Sequence, residues 1–220
     1  MSVIIAGTGT DVGKTLLSAA IMARYAQTHG LLYLKPVQTG DDSDRQTVAN
    51  LTGLENEFFL LEFAHFSLPA SPHYAAEAEG KTLDYEKLQV AVADHASQAK
   101  TLIELAGGLM VPLTRYRTNL DLARDLRLPI ILAATTGLGT INHTVLSVQA
   151  LRSAGAVLAG ICFVGSDNSL YADNRRTIAE MTGAPILAEL LLPAGQKLDR
   201  QGFLGLASGF DIAGQLAKFV

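Results

Sequence analysis

Apolar positions along the chain alternate between short continuous runs and longer stretches in which they recur every three or four residues. The runs are Val3-Ile4-Ile5, Leu31-Leu32-Tyr33-Leu34, residues 101–108, Pro129 to Ala134, Val157 to Val164 and Pro185 to Leu192. Runs of this length without polar alternation predict strands covered on both faces, as in a parallel sheet. Between them, helical spacing predicts helices over Leu16 to Ala26, through Thr47, Val48 and Leu51 to a stop at Gly53, and from Leu83 to Ala99. Further helices are expected through Val145, Val148 and Leu151, up to Gly183, and from Leu206 to Phe219. Thr82 is the expected cap of the Leu83 helix, residues 57–66 are apolar but irregular, and Pro69 to His73 predicts a turn. A loop is expected through Gly195 and Gly202. Strands alternating with helices predict one doubly wound, mostly parallel α/β domain over residues 1–220.

Composition narrows the class. With 49% apolar and 17% charged residues in 220, the chain can bury one substantial core. A net charge of -4 without a basic stripe argues against nucleic acid as a partner, and Arg115, Arg117, Arg175 and Arg176 read as solvated positions. The single cysteine, Cys162, lies in an apolar run and reads as a buried strand residue. No basic-then-apolar leader and no stretch of membrane length are seen, so a cytoplasmic protein with no membrane partner is expected.

The candidate chemistry starts at Gly7-Thr8-Gly9-Thr10-Asp11-Val12-Gly13-Lys14-Thr15, between the first strand and first helix. Loop N–H groups and a helix N-terminus have no internal partners, so together they form an anion site. Lys14 would add a cation at the β- and γ-phosphates and Thr15 a hydroxyl for magnesium. The leading glycine is one place earlier than in the general P-loop formula, which would require it at position 8. Lys35 and Thr39 follow the second strand, on the rim where ligands of open α/β sheets gather. Taken alone, Lys35 reads as a strand-end lysine meeting water, and Asp44 as a helix cap or a metal-facing carboxylate. Glu104 ends an apolar strand before Gly107-Gly108, either as a magnesium-holding acid or as a carboxylate facing solvent. Residues 135–143 form a second glycine-bearing loop at a helix start, a further anion site or a plain turn with Thr140 as cap. His73 reads as a polar loop residue.

Several of these segments together resemble the dethiobiotin synthetase family. Gly7 to Thr15 matches its loop G-T-x-T-[DE]-V-G-K-T, which accounts for the displaced glycine. Lys35 to Gly40 resembles its K-P-V-x-[ST]-G, Ser43-Asp44 its S-D, Ser71-Pro72-His73 its S-P-H, and Leu138 to His143 its L-G-x-I-N-H. The resemblance implies a P-loop ligase that uses ATP and Mg2+ to join CO2 to 7,8-diaminopelargonate and close a cyclic urea. It implies Lys35, Lys14 and Thr10 as catalytic residues and Thr15, Asp44 and Glu104 around magnesium. Asp11, Val12, Gly13, Lys14, Thr15, Leu16, Asp44, Glu104, Gly107, Leu190 and Leu192 would bind nucleotide. Lys35 and Thr39 would bind substrate, together with Gly139, Thr140, Ile141 and Asn142, which in the family come from the neighbouring subunit of a homodimer.

Three departures stand out. The family's V-E-G-A-G-G is Ile103-Glu104-Leu105-Ala106-Gly107-Gly108, which puts a bulky Leu105 where crowding of the phosphates or metal is expected. Val164-Gly165 stands where an adenine-reading asparagine is common, and Ala188 to Leu192 replaces G-x-I-P. Phosphate chemistry is thus expected to persist with relaxed nucleobase selectivity. The alternatives are a deviant P-loop partitioning or regulatory ATPase and a related synthetase acting on another substrate. The first would carry an extra lysine where this chain has Thr8 and Gly9. The second, if amidating, would need an ammonia source that no attached glutaminase provides.

Overall fold

The computed structural model describes residues 1–193 and 199–220. A six-stranded parallel sheet forms the centre, built from β1 (Val3–Gly7), β2 (Leu32–Leu34), β5 (Thr101–Gly108), β6 (Ile130–Thr135), β7 (Leu158–Ser166) and β8 (Ile186–Leu192). Their spatial order is β2-β5-β1-β6-β7-β8, so the first strand is internal and paired on both sides. Two three-residue strands, β3 (Val37–Thr39) and β4 (Ala64–Phe66), make a separate parallel pair.

The helices are α1 (Lys14–His29), α2 (Asp44–Thr52), α3 (Pro72–Ala78), α4 (Tyr85–Gln98), α5 (Asn119–Leu126), α6 (Thr140–Ser153), α7 (Tyr171–Thr182) and α8 (Arg200–Gly209). One face of the sheet buries Leu17, Ile21, Tyr33, Leu102, Val164 and Phe203 with α1, α2 and α8. The other buries Ile4, Leu34, Ile103, Leu105, Leu122, Val148 and Ile178 beneath α4, α5, α6 and α7. Burial on both faces is why these strands read as continuous apolar runs. Within β5 the strand alternation separates Leu102 and Glu104 from Ile103 and Leu105. Leu105 is consequently a core residue of the second face, 2% exposed, and does not crowd the phosphate side.

Several local expectations are corrected. Asp84, not Thr82, caps α4, its carboxylate accepting from the Lys87 N–H. Ser43 caps α2 by accepting from the Gln46 N–H, which frees Asp44 for other partners. Gly139 occupies the N-cap of α6 with φ 89, and the Thr140 hydroxyl instead donates to the Thr135 carbonyl. Residues 57–66 hold part of a short 3-10 helix, Asn56–Phe58, and β4, while the expected turn at Pro69–His73 runs straight into α3. The last helix is α8, capped by Asp199, rather than Leu206 to Phe219. Asp211, at φ 52, accepts from the N–H groups of Gln215 and Leu216 and from the Tyr25 hydroxyl, a turn that competes with helix there. Gly202 lies in α8, and Gly195 falls outside the described residues. Cys162 is buried in β7 as expected, and no described helix is long and apolar enough to cross a membrane.

Candidate active site

The loop between β1 and α1 is shaped by three backbone demands. A side chain at Gly7 would come within 2.9 Å of the Gly9 carbonyl, the Lys14 side chain and Val12, so the residue ending β1 has no room for a Cβ. Asp11 adopts φ 56, and Gly13 φ 87 at the N-cap of α1, with no side chain capping the helix. The open N–H groups of the first turn and the positive end of the helix therefore face whatever lies before it. Gly13 also sits directly on Val164: a Cβ there would lie 2.4 Å from the valine Cγ1.

In front of this loop opens a cavity of about 770 Å³. Its walls bring together Thr10, Asp11, Gly13, Lys14, Thr15 and Leu16 with Lys35, Thr39, Asp44, Glu104 and Gly107. Segments far apart in the chain thus converge, because the carboxyl ends of β1, β2 and β5 lie side by side. The Lys35 Nζ lies 2.7 Å from Asp44 Oδ2 and 3.1 Å from Glu104 Oε1. Thr15 Oγ1 donates at 2.9 Å to Asp44 Oδ1 or to Glu104 Oε1. The Lys14 Nζ donates to the Gly9 carbonyl at 3.0 Å. Far from meeting water, Lys35 is 6% exposed and Glu104 is fully buried.

The charges are strongly coupled. Burial pulls the Lys35 ammonium down, but the carboxylates of Glu104 and Asp44 more than offset this, and its pKa is raised. Asp44 is lowered, since Lys35 and the Thr15 hydroxyl overcome the effect of burial. Lys14 is lowered to about 8 by burial, then by repulsion from Lys35. Burial, together with Glu104, keeps the Tyr33 hydroxyl protonated by pushing it well up.

Two carboxylates and a hydroxyl are hard oxygen donors, and an ammonium already lies between the carboxylates. Such a set suits a small divalent cation that shares its shell with phosphate oxygens and water; among the described residues no group of three or more histidine, cysteine or acidic side chains converges as an all-protein cage would.

Other expected site residues do not line this cavity. Val12 is 8% exposed and packs into the core beside Gly7. Leu190 is buried in β8 opposite Val164, and Leu192 packs half-buried at that strand's end. Gly139, Thr140, Ile141 and Asn142 open α6 and do not line this cavity. Gln38 was not anticipated. It donates to the carbonyls of Thr39 and Asp42 and accepts from the Asp44 N–H, tying the acidic loop to β3. A glutamine beside a named motif position carries no signal until its partners are known.

Comparison with known proteins supplies the context. A family model described as an AAA domain matches residues 1–201. An ATP-dependent dethiobiotin synthetase BioD of Leptospira interrogans is 42% identical over 203 residues, covering 92% of this chain and 91% of its own length. The protein of the same name from Nitrobacter hamburgensis is 42% identical, with 96% of this chain and 94% of its own length covered. Among solved structures, a ParA family ATPase from Chlorobium tepidum superposes with a TM-score of 0.60 over 99% of this chain and 95% of its own, at 14% identity, a likeness of fold alone. With near-complete alignment to these synthetases and a phosphate loop, two lysines and two acids gathered at one cavity, the chain belongs to the ATP-dependent dethiobiotin synthetase family.

Proposed function

We propose that this cavity binds a nucleoside triphosphate beside 7,8-diaminopelargonate and carries out carboxylation and ring closure in three steps. One amine takes up CO2 as a carbamate and loses a proton. A carbamate oxygen then attacks the γ-phosphorus, giving a carbamic-phosphoric anhydride and ADP. The second amine attacks the carbamate carbon, phosphate leaves with the C–O bond, and the cyclic urea forms with loss of a proton. An unactivated carbamate oxygen is a poor leaving group and a phosphate a good one, so the second step makes the third feasible.

The observation that carries this reading is the buried meeting of Lys35, Asp44 and Glu104 on the rim of the phosphate loop. A lysine kept protonated by two acids can hold an anionic carbamate and follow its charge onto the transferring phosphoryl group. Lys14 would hold the phosphates from the other side, with Thr10 and Thr39 donating to substrate. Thr15, Asp44 and Glu104 would hold Mg2+, which when bound neutralises phosphate charge. The Gly139 to Asn142 segment lies at the open start of α6, outside its own chain's cavity. This supports its serving the substrate carboxylate of a second copy, with a homodimer as the working form.

The test is ATP-dependent phosphate release with bicarbonate, with and without 7,8-diaminopelargonate, alongside product analysis. Release coupled to the diamine with dethiobiotin as product is expected. Release independent of the diamine would instead favour a nucleotide-switched ATPase.

A further inference from the structure

Glu104 has no exposed surface, yet its two oxygens face different surroundings. Oε1 lies 2.9 Å from Thr15 Oγ1 and 3.1 Å from the Lys35 Nζ, both of which line the cavity. Oε2 accepts from Ser18 Oγ at 2.6 Å and from the Tyr33 hydroxyl at 3.1 Å, and neither Ser18 nor Tyr33 lines the cavity. Both are fully buried. We propose that Ser18 and Tyr33 are positioning residues for the reaction: their hydroxyls hold Oε2 of Glu104 in the core and thereby aim Oε1 at the bound cation and phosphates.

The two donors come from two rigid elements. Ser18 stands three positions after Thr15 on α1, so the same helix face reaches both oxygens of one carboxylate. Tyr33 projects from β2, whose register places it beside Leu102 on β5, and its ring is fixed edge-on to Phe59 at 5.9 Å. A glutamate side chain has three rotatable bonds and would otherwise lose entropy to stay in one pose. Two donors on the inner oxygen select the pose and satisfy a lone-pair site that water does not reach. Ser18 and Tyr33 thus act through Glu104, touching neither substrate nor nucleotide. The inference rests on the reading of Glu104 as a cation-holding group.

The experiment measures Mn2+ affinity in the presence of ADP by calorimetry, and ADP affinity separately in EDTA. It uses the full chain and Tyr33→Phe, Ser18→Ala, their double variant, Ser18→Thr and Glu104→Gln, with melting temperatures recorded. The double variant should bind Mn2+ about tenfold or more weakly, with metal-free ADP affinity kept. Ser18→Thr, which retains a hydroxyl, should bind Mn2+ as the parent does. If the double variant does not fold, Tyr33→Phe, which removes a single oxygen atom, becomes the deciding measurement, with a several-fold loss expected. Unchanged Mn2+ affinity in these variants, with clear weakening in Glu104→Gln, would overturn the positioning role alone. If Glu104→Gln also binds Mn2+ normally, both the role and the reading of Glu104 fall. An equal loss of metal-free ADP binding would likewise overturn the inference, since the whole phosphate loop would then have shifted.

Discussion

Lys14 and Lys35 share a cavity but stand in opposite electrostatic positions. Lys35 is neutralised by two carboxylates and stays charged; Lys14 is buried beside that charge and is lowered to about 8. Between about 8 and the usual lysine value, the unfolded chain therefore holds a proton on Lys14 that the folded chain has released. This group's contribution to stability consequently rises with pH across that window. Phosphate binding has the opposite sign, because the anion needs the proton back. ADP affinity in EDTA should be level below pH 8 and fall by about one log unit per pH unit above it, with proton uptake visible as buffer-dependent calorimetric heats. Lys35→Ala should cut dethiobiotin formation by ~100-fold or more while leaving nucleotide binding measurable. Near-normal turnover would contradict the role given to Lys35. At this scale the sequence was informative about residue types and silent about partners. Lys35 taken alone looks solvent-facing, because the glutamate that buries it is 69 positions away. Ser18 and Tyr33 are invisible for the same reason.

At the scale of elements, the strands of the central sheet were legible, the three-residue β2 included, and the short outlying pair was not. β5, β6, β7 and β8 follow from continuous runs buried on two faces, whereas β3 and β4 have three residues each and show no periodicity. α5 was not anticipated, although its capping box between Thr118 and Asp121 stands in the sequence at the spacing such a box requires. The β7–α1 contact illustrates what a motif cannot reveal. The motif marks Gly13 as a phosphate-loop residue, but not that its positive φ and the Val164 methyls fix it twice over. Gly13→Ala should cost ~2 kcal/mol or more in a denaturant titration, and adding Val164→Ala should recover part of that by removing the closest contact, with the valine Cγ1, while the close approach to Cβ and the backbone strain remain. Val164 and its register partner Leu190 are apolar and buried, leaving no side-chain hydrogen bond to read a base from those positions. ATP, CTP and GTP should then bind within about tenfold of one another, because apolar contacts discriminate weakly. A strong preference for ATP would refute this.

For the molecule as a whole, the fold class was readable from strand–helix alternation, whereas only the family resemblance pointed to a site shared between two copies. One chain brings the loop after β1 and the lysine–acid centre to one cavity, while the Gly139 to Asn142 helix start lies apart. If two copies complement each other, inactive Lys35→Ala and an inactive Asn142 variant should regain activity when mixed and refolded together. Random pairing would restore about a quarter of the parent's rate. No recovery, with mixed dimers demonstrated by tag capture, would place all the binding groups within one chain.

The strand order also sets a timetable. β1 and its phosphate loop come well before both of their neighbours in the sheet, Thr101–Gly108 and Ile130–Thr135. During synthesis the loop must wait, unpaired at both edges until β5 has left the ribosome and at one edge until β6 has. A nucleotide in the surrounding solution therefore has nothing to grip on a shorter nascent chain. The most recognisable stretch of the polypeptide is translated before the strands that make it a site.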